Sequence, residues 1–254
     1  MSKNLYAPRT RIYVNSPLIE QNYLPTDEKQ AHYLATVLRL KIGDKSCVFN
    51  GKDGEFIAEI TEIHKKSITI FLKEQSSEQR NSPDLWLLSA PLKNSKAEFI
   101  VEKATELGIS CYIPVKTRYS IVSSVNEDKL VIAAIEASEQ CERLDIPEIK
   151  PIIPLMKLLS EWDNERIIIY GDESGKGEPA NIALSKLKRG KYAVLIGPEG
   201  GFSEEELILL ESLPFAVAIS MGERIMRADT ATIAALALVQ SHLGDWENKP
   251  KFRR

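Results

Sequence analysis

Apolar and polar positions follow two different rhythms along this chain. Over the first seventy residues the pattern is that of short strands, with Arg11-Ile12-Tyr13-Val14 as one. Cys47-Val48-Phe49 then runs through Asn50-Gly51-Lys52-Asp53-Gly54 into Glu55 to Ile63, a hairpin signal. Ser67 to Leu72 adds a β-branched run, and Thr26 to Leu40 predicts a single helix with Tyr33, Leu34, Val37 and Leu38 on one face. A small β-barrel with one helix is the economical arrangement, because closure protects short strand edges, and such barrels often bind nucleic acid.

Residues 74–83 are polar, free of aliphatic side chains and end in Pro83, so they read as a linker between a domain at 1–73 and one at 84–248. Beyond it strands alternate with helices. Leu85 to Ala90, Cys111 to Val115, Arg166 to Tyr170 and Tyr192 to Ile196 are strand-like, as is Phe215 to Ile219. Ser95-x-x-Glu98 opens a helix that Gly108 stops; Asn126 opens another to about Cys141, and a last one runs from Asp229 to His242. Apolar strands between helices predict an α/β domain whose parallel sheet is covered on both faces. No internal repeat or low-complexity segment is present.

Two glycine turns stand out. Leu195-Ile196-Gly197-Pro198-Glu199-Gly200-Gly201 leaves a strand and ends where Ser203 and Glu206 form a capping box, so a helix follows at once. Three glycines in five residues let backbone groups approach a small molecule without interference from Cβ atoms, and Pro198 fixes one φ. The second segment, Ser220-Met221-Gly222-Glu223-Arg224-Ile225-Met226-Arg227-Ala228-Asp229-Thr230, again joins strand to helix. Two such turns at the carboxyl ends of parallel strands are what a ligand crevice requires. Neither is a dinucleotide or ATP motif. Gly171 to Glu178 has glycines and a lysine but lacks the P-loop spacing, and reads as a surface loop.

Composition refines this reading. With 43% apolar and 27% charged residues the chain is an ordinary globular one, and the net charge of −3 is unevenly spread. Residues 1–80 carry +2, 81–248 carry −9 and the basic tail 249–254 carries +4, so a local basic face for phosphate is available. No run is long enough to span a membrane and Met1 to Pro8 lacks a secretory h-region, so the expectation is a cytoplasmic protein without a membrane partner. Cys47, Cys111 and Cys141 are odd in number and far apart, against a disulfide framework or a metal site, and read as core or site-lining residues. His32, His64 and His242 lie outside the glycine turns and read as structural rather than as bases.

The two turns together closely resemble the paired motifs of the RsmE-type 16S rRNA uridine-N3 methyltransferases of the SPOUT superfamily. The resemblance extends to His32-Tyr33-Leu34-Ala35-Thr36-Val37-Leu38-Arg39-Leu40, to Val101 through Gly108 and to Glu139 through Ile149. It implies a PUA-like RNA-binding barrel, followed by a SPOUT α/β domain with a deep trefoil knot, a topology the general rule against knots would reject. It further implies S-adenosylmethionine as cofactor, a homodimer, and no metal. The cofactor is then expected against Leu195, Ile196, Gly197, Pro198, Glu199, Gly200, Gly201, Ser220, Met221, Gly222, Arg224, Ile225, Met226, Arg227 and Thr230. This chain departs in carrying Met221 and Met226 where leucine is common, which keeps the lining apolar. Asp229 replaces the usual glutamate, and its shorter carboxylate weakens the case for a direct catalytic role.

The activity so implied is methylation of N3 of a uridine in the decoding region of 16S rRNA, on the assembled small ribosomal subunit. The same chemistry on another rRNA or tRNA position, or a non-catalytic RNA-binding assembly role, are the competing readings. Uracil N3 carries a proton and is a poor nucleophile until it leaves, so the protein must position the base, take the proton and stabilise the anion. Arg227 is expected to orient the base or stabilise its oxygens. Glu199 orients that arginine, accepts the proton, or holds the loop through backbone N–H groups. Arg224 is expected to pair with Glu223, Glu199 or RNA phosphate. Arg9, Arg11, Arg39, Lys41, Lys65, Lys66 and Arg143 are candidate RNA contacts.

Overall fold

The computed structural model describes residues 10–93, 95–172 and 174–248; Arg9 and the tail 249–254 lie outside the described residues. Two compact units result. The first comprises the residues up to Asn81 with Ser138–Asp145, and the second Ser82–Ala137 with the residues from Ile146 onward.

The first unit contains β1 (Arg11–Tyr13), β2 (Tyr23–Pro25), α1 (Glu28–His32), β3 (Lys45–Phe49), β4 (Glu55–Ile63) and β5 (Ile68–Ser77). The strands form one sheet in the order β1-β3-β4-β5-β2, antiparallel except for the β1–β3 pair. Alternation in β5 buries Ile68, Ile70 and Leu72 against Ile12, Leu34, Val48 and Ile60. The hairpin turn is held by Asn50 Oδ1, which accepts the N–H groups of Lys52 and Asp53. The Asp53 carboxylate in turn accepts the Leu18 N–H and is held below the usual carboxylate range by that bond and the one from Asn50.

Two expectations fail here for local reasons. The helix at Thr26–Leu40 is only five residues long, started by an Asp27/Gln30 capping box, and passes into a π turn at Tyr33–Val37. The wider turn breaks the 3.6-residue register, so Leu34 is buried while Val37 points to solvent. The supposed linker begins inside β5, since Gln75 and Ser77 pair with Phe56 and Glu55. Residues 74–76 are exposed, so the ladder is carried by backbone hydrogen bonds that leave no hydrophobic trace.

The second unit begins with β6 (Leu85–Ser89), α2 (Ser95–Glu106), β7 (Cys111–Lys116), α3 (Glu127–Cys141), β8 (Glu148–Ile149), β9 (Ile153–Pro154) and α4 (Leu155–Ser160). It continues with β10 (Ile167–Gly171), β11 (Glu178–Pro179), α5 (Ala180–Ser185), β12 (Tyr192–Ile196), α6 (Glu204–Ser212), β13 (Ala216–Ser220) and α7 (Ala228–Leu243). The last turn of α3 is counted with the first unit. The sheet runs β11-β13-β10-β12-β6-β7-β8, parallel throughout, with β9 also on β7. Period-two alternation divides its side chains between two cores. Leu87, Ile169, Val194 and Ile196 pack with α2 and α7, whereas Leu88, Ile168, Ala193 and Leu195 pack with α4 and α6.

Gly108, at φ 80°, ends α2: its N–H donates to Thr105 O and that of Ile109 to Ala104 O, a Schellman cap. Ser95 is the first residue of α2 rather than a residue preceding it. Arg166 sits just before β10, its guanidinium bidentate on Asp84 at 2.7 and 2.9 Å and stacked 3.8 Å from the Trp86 ring centre. Cys47 and Cys111 are buried, but Cys141 is exposed, because it falls in the solvent-facing last turn of α3. No helix among the described residues is long and apolar enough to cross a membrane.

Candidate functional site

β10, β12 and β13 lie side by side and parallel, so the loops leaving their carboxyl ends converge. Between them is a cavity of ≈ 290 Å3. This is where open α/β sheets place ligands. The three walls are the turn after β12, the segment after β13 and the loop after β10.

Each wall has a local cause. At Gly197 a Cβ would stand 3.1 Å from the Phe202 ring, so the missing side chain lets that ring close the turn. Gly201 adopts φ 72° and its N–H returns to Pro198 O, after which the Ser203/Glu206 box starts α6. Glu206 also accepts the Arg118 N–H through Oε1, tying the turn to the strand of chain after β7. Gly222, at φ 100°, bends the chain after β13 with open space around it. α7 then begins behind Arg227, and Asp229 accepts the Thr230 N–H at 2.8 Å. That bond, with Lys96 3.6 Å away, holds the Asp229 carboxyl below its usual range.

Of the residues expected at a cofactor, Ile196, Gly197, Pro198, Glu199 and Gly201 line the cavity from the first turn. Ser220, Met221, Gly222, Arg224, Ile225 and Met226 line it from the second. Four do not. Leu195 points into the opposite core, since adjacent strand residues face opposite ways. Gly200 is exposed, with Tyr119 against the position of its absent Cβ. Arg227 and Thr230 are exposed at the start of α7, outside the lining.

Gly171, Asp172 and Gly175 were missed, because their loop reads as plain surface; β10 lies between β12 and β13 and delivers the loop to the same opening. Gly177 anchors it: a Cβ there would be 2.8 Å from Ile219 C and 3.0 Å from Ser220 N. At its other end Asp172 N–H donates to Ile219 O at 3.0 Å. The one available signal was the pair of glycines around Lys176 directly after a fully apolar strand.

The lining combines apolar Ile196, Ile219, Met221, Ile225 and Met226 with three carboxylates, Asp172, Glu199 and Glu223, and the guanidinium of Arg224. Among the described residues Arg224 makes no ion pair with Glu223 or Glu199, and both carboxylates are exposed. The set suits a ligand with a flat apolar part, a positive centre and a carboxylate. Backbone exposed at Gly171, Gly197 and Gly222 supplies donors and acceptors. Among the described residues no group of three or more His, Cys, Asp or Glu is placed to hold a metal ion. His32, His64 and His242 are exposed and none lines the cavity.

The RNA candidates divide. Arg39, Lys41, Lys65 and Lys66 are exposed. Arg11 is 5% exposed: its Nε donates to Glu55 Oε2, its two Nη atoms to Ser138 O and Arg143 O, all at 2.6 Å, and it stacks on Phe49. It holds the first unit together and is not available to phosphate. Arg143 is likewise committed, with Nη2 2.9 Å from Asp145 and a nearly buried side chain.

Residues 78–240 match the family model of an RNA methyltransferase domain, and residues 26–73 that of an RNA methyltransferase PUA domain. A curated relative, ribosomal RNA small subunit methyltransferase E of Rickettsia conorii, is 39% identical over 91% of this chain and 94% of its own length. The protein of the same name from Buchnera aphidicola is 31% identical over 92% and 97%. Among solved structures, a Legionella pneumophila protein described as a methyltransferase in complex with bound SAM is 28% identical, with a TM-score of 0.82 over 92% of this chain and 98% of that one.

Proposed function

Since the chain belongs to the RNA methyltransferase family of ribosomal RNA small subunit methyltransferase E, we propose that it methylates N3 of a uridine in the decoding region of 16S rRNA, on the assembled small subunit, with S-adenosylmethionine as donor. One observation carries the reading: the cavity at the carboxyl ends of β10, β12 and β13 in a fold shared with a relative that binds SAM. The rest of the reading is a cytoplasmic homodimer whose first five strands close as a PUA-like barrel. A deep trefoil knot in the SPOUT α/β domain belongs to the same reading.

S-adenosylmethionine, when bound, supplies a methyl group already activated on a sulfonium centre. Ile196, Ile219 and Met221 offer the apolar wall a purine needs, the Asp172, Glu199 and Glu223 carboxylates offset positive charge, and Arg224 suits a carboxylate. Arg227, exposed and outside the lining, is left to the uracil: its guanidinium orients the base and stabilises the oxygens as negative charge develops. Glu199, exposed at the cavity edge, accepts the N3 proton or holds Arg227 in place. Arg39, Lys41, Lys65 and Lys66 contact RNA phosphates.

The test incubates the protein and labelled S-adenosylmethionine with 30S subunits, naked 16S rRNA and tRNA, and maps the methylated nucleotide by mass spectrometry. Transfer to N3 of a 16S uridine on the 30S particle is expected. No transfer to any RNA would overturn the reading, and transfer to tRNA alone would redirect it.

A further inference from the structure

The loop leaving β7 crosses to the glycine turn after β12 and is held there by two sets of hydrogen bonds. Within the loop, Ser120 Oγ accepts the Thr117 N–H and shares a hydrogen bond with the Thr117 hydroxyl, both at 2.9 Å, and the Ser120 N–H returns to Thr117 O at 3.2 Å. Toward the turn, the Arg118 N–H donates to Glu206 Oε1 at 2.8 Å. The other oxygen of that buried carboxylate accepts the Ser203 N–H, also at 2.8 Å. One side chain thus fixes the loop after β7 against the end of the glycine turn.

Tyr119 is what this arrangement delivers. Its Cβ lies 3.3 Å from the place where a Gly200 Cβ would stand, and its Cγ 3.8 Å. Gly200 does not adopt a left-handed φ, so it is room for Tyr119, not backbone conformation, that calls for glycine here. Its two neighbours, Glu199 and Gly201, line the cavity, which puts the tyrosine one residue away from the cavity wall. The side chain is nevertheless 52% exposed, and among the described residues no ring or cation stands over it. A rigidly anchored loop therefore carries an aromatic face with nothing stacked on it.

A uracil needs such a face. Its N3 lies on the pairing edge, so the base leaves its helix or stack to react, and an aromatic side chain offsets the stacking it gives up. The cavity lining cannot do this, because its aromatic ring, Phe202, is buried and packed against Gly197. Of the other exposed aromatic side chains in the second unit, Phe99 lies under the Lys103 ammonium and Trp246 follows the far end of α7.

We propose that the Tyr119 ring is the platform on which the target uracil stacks, and that Glu206 is a positioning residue that holds this ring beside the cavity. The inference rests on the chain acting as a uridine methyltransferase and adds the residue that receives the base. Arg227 and Glu199 address groups on the edge of the uracil, whereas Tyr119 takes its face, so the three roles do not compete.

The experiment measures kcat and KM for methyl transfer to 30S subunits by the full chain, with S-adenosylmethionine titration calorimetry and thermal melting alongside. Tyr119→Phe keeps the ring and is expected to stay within twofold of wild type. Tyr119→Leu and Tyr119→Ala are expected to lower kcat/KM for the subunit about 5- to 150-fold, the range for one lost base–aromatic stack. Cofactor affinity and melting of these variants should stay near wild type, since the side chain is half in water. If Glu206 acts through Tyr119, Glu206→Gln/Tyr119→Leu should turn over within twofold of Tyr119→Leu alone. Wild-type turnover in Tyr119→Leu would show that apolar bulk suffices, and a tenfold loss of cofactor affinity in that variant would show that the ring only props the glycine turn; either overturns the platform. Losses that multiply in the double variant would overturn the role given to Glu206. If wild type methylates 30S subunits and every Tyr119 variant matches it, the platform alone is refuted. If wild type methylates no RNA, the functional reading falls and the platform with it.

Discussion

Gly177→Ala tests whether the loop after β10 is a wall of the cavity or a plain surface turn. The new Cβ would meet Ile219 C at 2.8 Å, Ser220 N at 3.0 Å and Ile219 O at 3.1 Å, all backbone atoms of β13 that no rotamer change can relieve. Relief requires the loop to move outward by several tenths of an ångström. Ile219 O is also the acceptor of Asp172 N–H, and Glu178 and Pro179 pair with Ile219 and Ser220, so one displacement loosens both ends of the loop. Overpacking costs about 1–3 kcal/mol, and the weakened backbone hydrogen bond adds about 1 kcal/mol. At about 2–4 °C per kcal/mol for a chain of this size, the melting temperature should fall by roughly 4–16 °C.

Cofactor affinity is the sharper readout. A loop displaced with a penalty of about 2 kcal/mol weakens S-adenosylmethionine at least tenfold in titration calorimetry. Gly175→Ala is the control: at φ 82° it is strained, but a Cβ there meets nothing within 4 Å, so it should cost only about 1–2 kcal/mol. Gly177→Ala with wild-type melting and affinity within twofold of wild type would refute the reasoning.

Arg227→Ala should abolish methyl transfer to 30S subunits while leaving melting and cofactor titration near wild type; full turnover would remove the role given to that residue. Glu55→Gln strips the charge opposite buried Arg11 and should destabilise the first unit by about 3–5 kcal/mol in urea unfolding. The Asp229 carboxyl is held below its ordinary value by the Thr230 N–H, so its stabilisation is present above about pH 4 and lost as pH falls below. Asp229→Asn should therefore lower the melting temperature near neutrality and flatten its acid limb. Burial pushes the Cys111 thiol up to about 12 and Cys47 is also buried, so native alkylation at pH 8 should label Cys141 alone, with three adducts after denaturation, read by peptide mass spectrometry.

Features with a local physical cause were legible in the residues. The Ser203/Glu206 box, the Gly108 stop, the apolar run of β12 and the two glycine turns each follow from backbone geometry within a few positions. Eleven of the expected cofactor residues accordingly line the cavity. The two-residue strands β8, β9 and β11 escaped detection, because a ladder that short takes its stability from its partner rather than from its own composition. The π turn leaves no such trace, because apolar spacing reports a 3.6-residue period that the backbone abandons at Tyr33.

By itself, then, the sequence determined the α/β character of the second part and two of the three cavity walls. Tertiary structure decided the third wall, because the order of strands in a sheet places β10 between β12 and β13 and no spacing along the chain records that order. It also decided what an arginine is for: Arg11 and Arg39 look alike in sequence, but Glu55, 44 residues away, buries one, while a left-handed turn leaves the other in solvent.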